Sequence, residues 1–297
     1  LRGALQLYNE DGRSDFIPGV INELTGEPFA LNGIWRVTRH DIETHIADYQ
    51  DNGFIDNPNP NIFGWPGRGN PFFNQYNNGM NLPLTPQNLA PFVDVTLDAI
   101  YNPMSGDYPS LAVRGCPSIP PPNEMLWFAF HDNTPHTESY MEKMNMEIHC
   151  TVFAYYCEED IALNNTIFVD FILIYRGEEE LTSTYFGLFS DLDIGNPEDD
   201  FIGTDIDRSI VYAYNGDGND ENGFGTEAPV MAIDLLRGPL KLVLPMGTLV
   251  EIPLTHAVPF SIPSPTALEA LFLLAGFYPN NGPAPNNGLL YTDYPDD

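Results

Sequence analysis

The chain has 297 residues, 43% of them hydrophobic, which is enough to bury a sizeable core and excludes wholesale disorder. Against 42 acidic residues stand 11 basic ones, giving a formal net charge of −31 that repels nucleic acid and anionic lipid and attracts cations. No apolar run reaches the length of a membrane span, and three cysteines are too few for a disulfide scaffold.

In chain order, the first predicted element is a helix. Thr38 followed by Asp41 forms a capping box ahead of an amphipathic segment carrying Ile42, Ile46 and Tyr49 on one face, and Asn52-Gly53 stops it after about three turns. From Asp56 to Pro91 the chain is dominated by Asn, Pro, Gly and aromatic residues. Its rings (Phe63, Trp65, Phe72, Phe73, Tyr76) predict an ordered wrap laid across the rest of the fold, with a stacking platform for sugars as the functional alternative.

The pattern then changes to period two, rich in β-branched and aromatic residues, over Met125 to Phe130, Met144 to Tyr156, Thr166 to Tyr175, Thr184 to Ile194, Ile210 to Tyr214, Val230 to Leu236 and Lys241 to Ile252. Turn residues fall at Arg176-Gly177, Asn215-Gly216-Asp217-Gly218 and Gly238-Pro239, and Pro245 demotes the last run to an edge or bulged strand. A second helix is predicted from Ser264-Pro265 to Gly276, followed by an extended tail. The expected fold is mainly β: a β-sandwich or jelly-roll-like domain with one or two short helices and long ordered Pro/Asn-rich loops. It is read as one module over 1–297, with a helix and wrapping loops in 1–123, the sandwich core in 124–255 and the short helix and tail in 256–297.

Cys150 and Cys157 in one extended segment would stand roughly 23 Å apart, too far to bridge. Cys116, in a Gly-Cys-Pro loop, is the better partner for either, or else both are small buried hydrophobes.

The strongest chemical signal is the run from Asp191 to Asp207, with Asp191, Asp193, Asp199, Asp200, Asp205 and Asp207, joined by Asp217 and Asp220 in the next turn. Crowded carboxylates repel one another unless cations or protons neutralise them. Calcium takes six to eight oxygens, and short acidic loops with Gly and Asn deliver carboxylates and backbone carbonyls to one point, so calcium is the expected ion. Asp94-Val95-Thr96-Leu97-Asp98 with Asp107 is a third, weaker calcium pattern, because Leu97 and Ala99 stand where a tight loop wants Gly or Asn. A rival zinc set would gather His131, His136 and His149, with Glu147 beside the last; no His-Glu-x-x-His spacing supports it, and hydrogen bonding within a strand face explains these residues as well. The Gly-x-Ser-x-Gly elbow and the phosphate-loop and dinucleotide fingerprints are absent.

Taken together, Ile34-Trp35-Arg36-Val37-Thr38, Asn102-Pro103-Met104-Ser105-Gly106-Asp107-Tyr108-Pro109, His136-Thr137-Glu138-Ser139, Glu147-Ile148-His149, Leu163-Asn164-Asn165-Thr166, Asp191-Leu192-Asp193-Ile194-Gly195 and Tyr214-Asn215-Gly216-Asp217 form an ordered series. In that series the chain resembles the large, uncharacterised secreted proteins of Bacteroidota that carry a C-terminal type IX secretion sorting domain. No such domain follows Asp297, so the resemblance implies a fragment, a processed product or an unusual member. It implies export and attachment to the cell surface or release, and carries no established activity.

The expected function is therefore an extracellular structural or adhesive surface module stabilised by calcium, a subunit of a surface layer or filament, whose partners are other copies or other surface proteins. A carbohydrate-binding or carbohydrate-active module is the alternative, with glycans as partners, and a zinc hydrolase the third reading. Nucleic-acid partners and membrane insertion are not expected.

Overall fold

The computed structural model of the chain describes residues 2–4, 12–116, 118–181, 184–188, 190, 192–197, 199–243 and 248–254, with short strands at 277–278, 282–283 and 294–295. The protein is mainly β, built of antiparallel sheets with short helices and long ordered loops, in keeping with a β-sandwich-like fold. It forms two compact units, one from residues 1–6 and 12–180 and the other from 7–11 and 181–297, where the sequence alone marks no boundary.

The first unit opens with β1 (Ile17–Pro18), β2 (Val20–Ile21), β3 (Pro28–Phe29) and β4 (Trp35–Thr38), which lead into α1 (Arg39–Asn52). Helix α1 begins where the sequence says it should. The Thr38 side chain accepts the Asp41 N–H while the Asp41 carboxylate accepts the Thr38 N–H, and Gly53 at φ 82° closes the far end by donating to the Tyr49 carbonyl. Its inner face buries Ile42 and also His45, a residue that helical periodicity of apolar types does not flag.

Two single-turn helices, α2 (Pro60–Phe63) and α3 (Phe73–Tyr76), punctuate the wrap, and β5 (Phe92–Val93) pairs with β6 (Tyr108–Pro109). The wrap is core, not decoration. Ile62, Phe63, Trp65 and Phe73 are fully buried with Trp35, Val37, Met125 and Trp127, and Phe72 and Tyr76 pack against them. Trp65 Nε1 donates to the Pro91 carbonyl at 3.0 Å, and the buried Asn70 amide donates to the carbonyls of Phe63 and Trp65 at 2.9 and 2.8 Å, so the irregular backbone is satisfied by side chains.

Three long strands carry the main sheet: β7 (Glu124–His131), β8 (Met146–Ala154) and β9 (Ile167–Tyr175), with the single-turn α4 (Ile161–Asn164) between the last two. One edge of β7 is shared by β4 and β1, the other pairs with β8, and β9 closes the order on the far side. Alternate residues of β7, Met125, Trp127, Ala129 and His131, face the core, as period two requires.

The second unit holds β10 (Asp200–Asp205), β11 (Ile210–Asn215) and β12 (Met231–Asp234), an antiparallel meander whose β10 edge also pairs with residues 294–295. A separate hairpin joins β13 (Leu240–Val243) to β14 (Thr248–Glu251), and residues 277–278 pair with 282–283. Leu192, Ile194 and Ala213 form its small core.

Three expectations are corrected. Thr184 to Ile194 contains no strand among its described residues; at its end Ile194 gives its N–H to the Asp200 carboxylate at 2.6 Å instead of to a neighbouring strand. The run from Lys241 to Ile252 is two strands of a hairpin, not one bulged strand. Within the acidic run, Asp200–Asp205 is itself a strand, because Phe201, Ile202 and Thr204 suit pairing with Tyr214, Ala213 and Val211. The helix predicted from Ser264 to Gly276 lies outside the described residues.

Candidate metal centre

The β10–β11 hairpin fixes where the acids fall. Asp200 stands opposite Asn215 at one end and Asp205 opposite Ile210 at the other, so the two carboxylates are separated by the length of the strand, about 17 Å. The acidic run therefore divides into two groups. Asp205 is satisfied locally, accepting the Arg208 N–H at 3.1 Å and pairing with its guanidinium, which holds its carboxyl below the usual range. Asp207 is exposed in the same turn, and neither residue takes part in a cluster of ligands.

At the other end the loops before β10 and after β11 meet. The Gly216 N–H donates to the Asp199 carbonyl at 2.8 Å, continuing the ladder one step beyond Asp200. Gly218 takes φ 84°, and its N–H donates to the Asn215 side chain at 2.8 Å, turning the chain so that Asp217 and Glu221 come back toward Asp199. One carboxylate oxygen each of Asp199, Asp217 and Glu221 then lie within 4.8 Å of one another, the only such group of metal-ligating residues among those described. Both Asp199 oxygens are shielded from water and lack any hydrogen-bond donor.

The neighbouring carboxylates hold the frame. Asp220 is buried, accepts the Asn196 N–H at 2.9 Å and the Phe224 N–H, and so ties the loop before β10 to the loop after β11. Gly195 and Gly223 leave room for it, since a Cβ at either would stand 2.0 or 2.2 Å from Asp220 Oδ2. Asp200 is fully buried; Oδ2 takes the Ile194 N–H while Oδ1 has no partner. Burial pushes its carboxyl up, the Ile194 bond opposes this, and the charges of Asp199, Asp220 and Asp193 add to the rise. A cation beside this group would remove that strain.

Of the residues predicted from sequence, Asp199 and Asp217 belong to the convergent group, Asp200 and Asp220 brace it, and Asp193 is exposed but near enough to act on Asp200. Asp191 lies outside the described residues. Glu221, the third member, was legible only as the end of the acidic run; its spacing of four from Asp217 around Gly218 was the available signal.

The other candidates are closed by protein groups. Asp94 accepts the Leu97 and Ala99 N–H groups at 2.7 Å each, and these donors with Asp98 outweigh what desolvation it suffers and hold its carboxyl low. Asp107, buried beside it, accepts from Val95 and Asn102 at 2.8 Å each. His149 Nε2 lies 2.9 Å from Glu147 Oε1, and Glu147 also takes the Ile21 N–H at 2.6 Å and the Arg176 guanidinium at 3.1 Å. His136 Nε2 sits 3.0 Å from the Asp132 carbonyl, and His131 Nδ1 accepts the Asn133 N–H at 3.1 Å. These bonds tie chain segments together, and the three imidazoles form no metal-ligating group among the described residues. All three cysteines are free; Cys150 is buried, its thiol pushed up to about 12 first by desolvation and then by Asp170, which makes it unreactive.

No protein-family model matches the chain, and no curated protein or solved structure does either. Among the described residues no helix is long and apolar enough to cross a membrane.

Proposed function

We propose that this chain is an extracellular structural or adhesive module that assembles with copies of itself or with other surface proteins, and that its second unit is stabilised by calcium held at Asp199, Asp217 and Glu221. The observation that carries the calcium reading is the convergence of these three carboxylates around Asp199, whose oxygens have no protein donor. Three carboxylates supply three to six oxygens, and loop carbonyls and water complete the six to eight that calcium takes. Zinc would look for nitrogen or sulfur ligands, which this corner lacks.

The extracellular setting is supported by the ordered motif series described above, and the assembly role by a surface chemistry without a catalytic signature. A glycan-stacking role for the wrap draws no support from Phe63, Trp65 and Phe73, which are buried. The test is thermal melting of the chain in millimolar calcium and in excess chelator. An ion present at ten times its dissociation constant stabilises by about 1.4 kcal/mol, which displaces the transition upward by several degrees. Identical melting curves in the two buffers would remove the calcium half of the proposal.

A further inference from the structure

The β10–β11 sheet of the second unit has two unlike faces. Ala213 packs with Leu192 and Ile194 on one side, and the alternate positions fall on the other. There Phe201 stands opposite Tyr214 and Gly203 opposite Tyr212, with all three rings partly exposed. Two glycines let rings lie down on the sheet. A Cβ at Gly203 would stand 2.3 Å from the Tyr212 ring and one at Gly216 1.9 Å from the Phe201 ring, so both rings rest on bare backbone. The three form a shallow row: Phe201 and Tyr214 have centroids 6.1 Å apart and planes inclined by 30°, and Tyr214 and Tyr212 have centroids 5.9 Å apart and planes inclined by 33°. The row ends at the candidate metal centre. Phe201 covers Gly216, which precedes Asp217 and donates to the Asp199 carbonyl, and alternation sets Asp199 on the same side as Phe201. Asp217 and Glu221 are exposed, so an ion held between them and Asp199 keeps part of its coordination shell toward solvent.

We infer that this corner is a binding site for neutral glycans, in which sugar rings stack on Phe201, Tyr214 and Tyr212 and two adjacent hydroxyls of one sugar replace water on the calcium ion. Each half of the site matches one half of a sugar. The C–H face of a pyranose is apolar and flat enough to pack on aromatic rings lying along a sheet. Its adjacent hydroxyls present a pair of hard oxygens, which calcium accepts in place of water because it tolerates six to eight oxygen ligands in flexible geometry. Charge then selects among glycans. With 42 acidic residues against 11 basic ones the chain repels uronates and sulfated polymers, whereas a neutral sugar meets no such barrier. Neither half suffices alone: the rings supply contact area without orientation, and the ion supplies orientation without area.

This inference deepens the adhesive reading and rests on calcium at Asp199, Asp217 and Glu221. The experiment is binding of the full chain to a printed array of neutral and anionic oligosaccharides, in calcium and in excess chelator, beside a calorimetric calcium titration of the same samples without glycan. The wild type should bind neutral glycans in calcium alone. Tyr212→Ala and Tyr214→Ala should each weaken glycan binding at least tenfold while taking up calcium like the wild type, and Tyr140→Ala, at an exposed ring of the first unit, should leave both unchanged. A wild type that takes up calcium but no neutral glycan overturns this inference and leaves the calcium reading standing; one that takes up no calcium removes both. Glycan binding that persists in chelator, or in both ring variants, also overturns it. Should the ring variants fail to fold, hydroxyl-radical footprinting of the wild type decides: labelling of Tyr212 and Tyr214 must fall when the strongest neutral glycan of the array is bound, and unchanged labelling overturns the inference.

Discussion

Asp220 accepts a hydrogen bond from the Asn196 N–H at 2.9 Å, and this contact, with the bond from the Gly216 N–H to the Asp199 carbonyl, binds the loop before β10 to the loop after β11. The candidate metal centre exists because these loops meet. Asp199 comes from the first and Asp217 and Glu221 from the second, so anything that parts them dissolves the site.

Asp220→Ala should therefore cost the second unit about 1–3 kcal/mol, since it removes the charged acceptor of the part-buried bonds from the Asn196 and Phe224 N–H groups. It should also weaken calcium binding although Asp220 is outside the convergent group. Urea denaturation and calcium titration of the same variant check both. Gly195→Ala should do similar damage by another route, placing a methyl group against the Asp220 carboxylate at a position of φ 69°.

The wrap offers a packing test. Trp65 is fully buried and anchored to Pro91, so Trp65→Ala should destabilise the first unit by about 3–5 kcal/mol. Gly67→Ala should cost about 1–3 kcal/mol, because its Cβ would stand 2.4 Å from the Tyr101 ring, which is buried and bonded to the Ile62 carbonyl. Denaturant midpoints read both. A wrap that served only as an outer platform would tolerate either change.

Acid should weaken the first unit through its buried histidines. Desolvation lowers His45 below its usual value of about 6.5, against the raising effect of the Asp107 carbonyl and Asp48, and it lowers His131 likewise against Glu147 and Asp132. The unfolded chain binds these protons more readily than the folded one, so the stability contribution is complete above about 6.5 and is lost as pH falls below that value. His45 makes no well-formed hydrogen bond at either ring nitrogen, the Asp107 carbonyl acting on it from outside good hydrogen-bond geometry, and packs edge-on against Phe63. His45→Leu should remove its share of the acid loss, flattening the denaturant midpoint between pH 7.5 and 5.5 relative to wild type. Equal slopes for the two proteins would count against a neutral, buried His45.

What could be read from sequence was whatever local chemistry decides. Thr38 and Asp41 satisfy each other within one turn, so α1 was visible at its true start. The runs of β7 and β9 were visible because one face of each is set by alternation, and β8, buried on both faces from Met146 to Thr151, was visible by its β-branched and aromatic residues. Strand β10 was hidden because Asp200 and Asp205 bracket it and acids read as loop, whereas its identity depends on Tyr214, Ala213 and Val211 arriving alongside. For the same reason Asp205 and Asp207 looked like ligands of one site; only the hairpin reveals that a strand length separates them from Asp199. Glu221 could not be chosen over its acidic neighbours until the turn at Gly218 brought it back.

The most direct test of the central claim is calorimetric titration of calcium into the metal-free full chain, beside Asp199→Asn and Glu221→Gln. The account requires a saturable site in the wild type, at about 0.1–1 mM, the range of low-affinity calcium modules, weakened at least tenfold by each substitution. It further requires that Asp205→Asn bind calcium like the wild type, because Asp205 is paired with Arg208 at the far end of β10. Absence of saturable calcium binding in the wild type, or binding lost in Asp205→Asn and kept in Asp199→Asn, would contradict it.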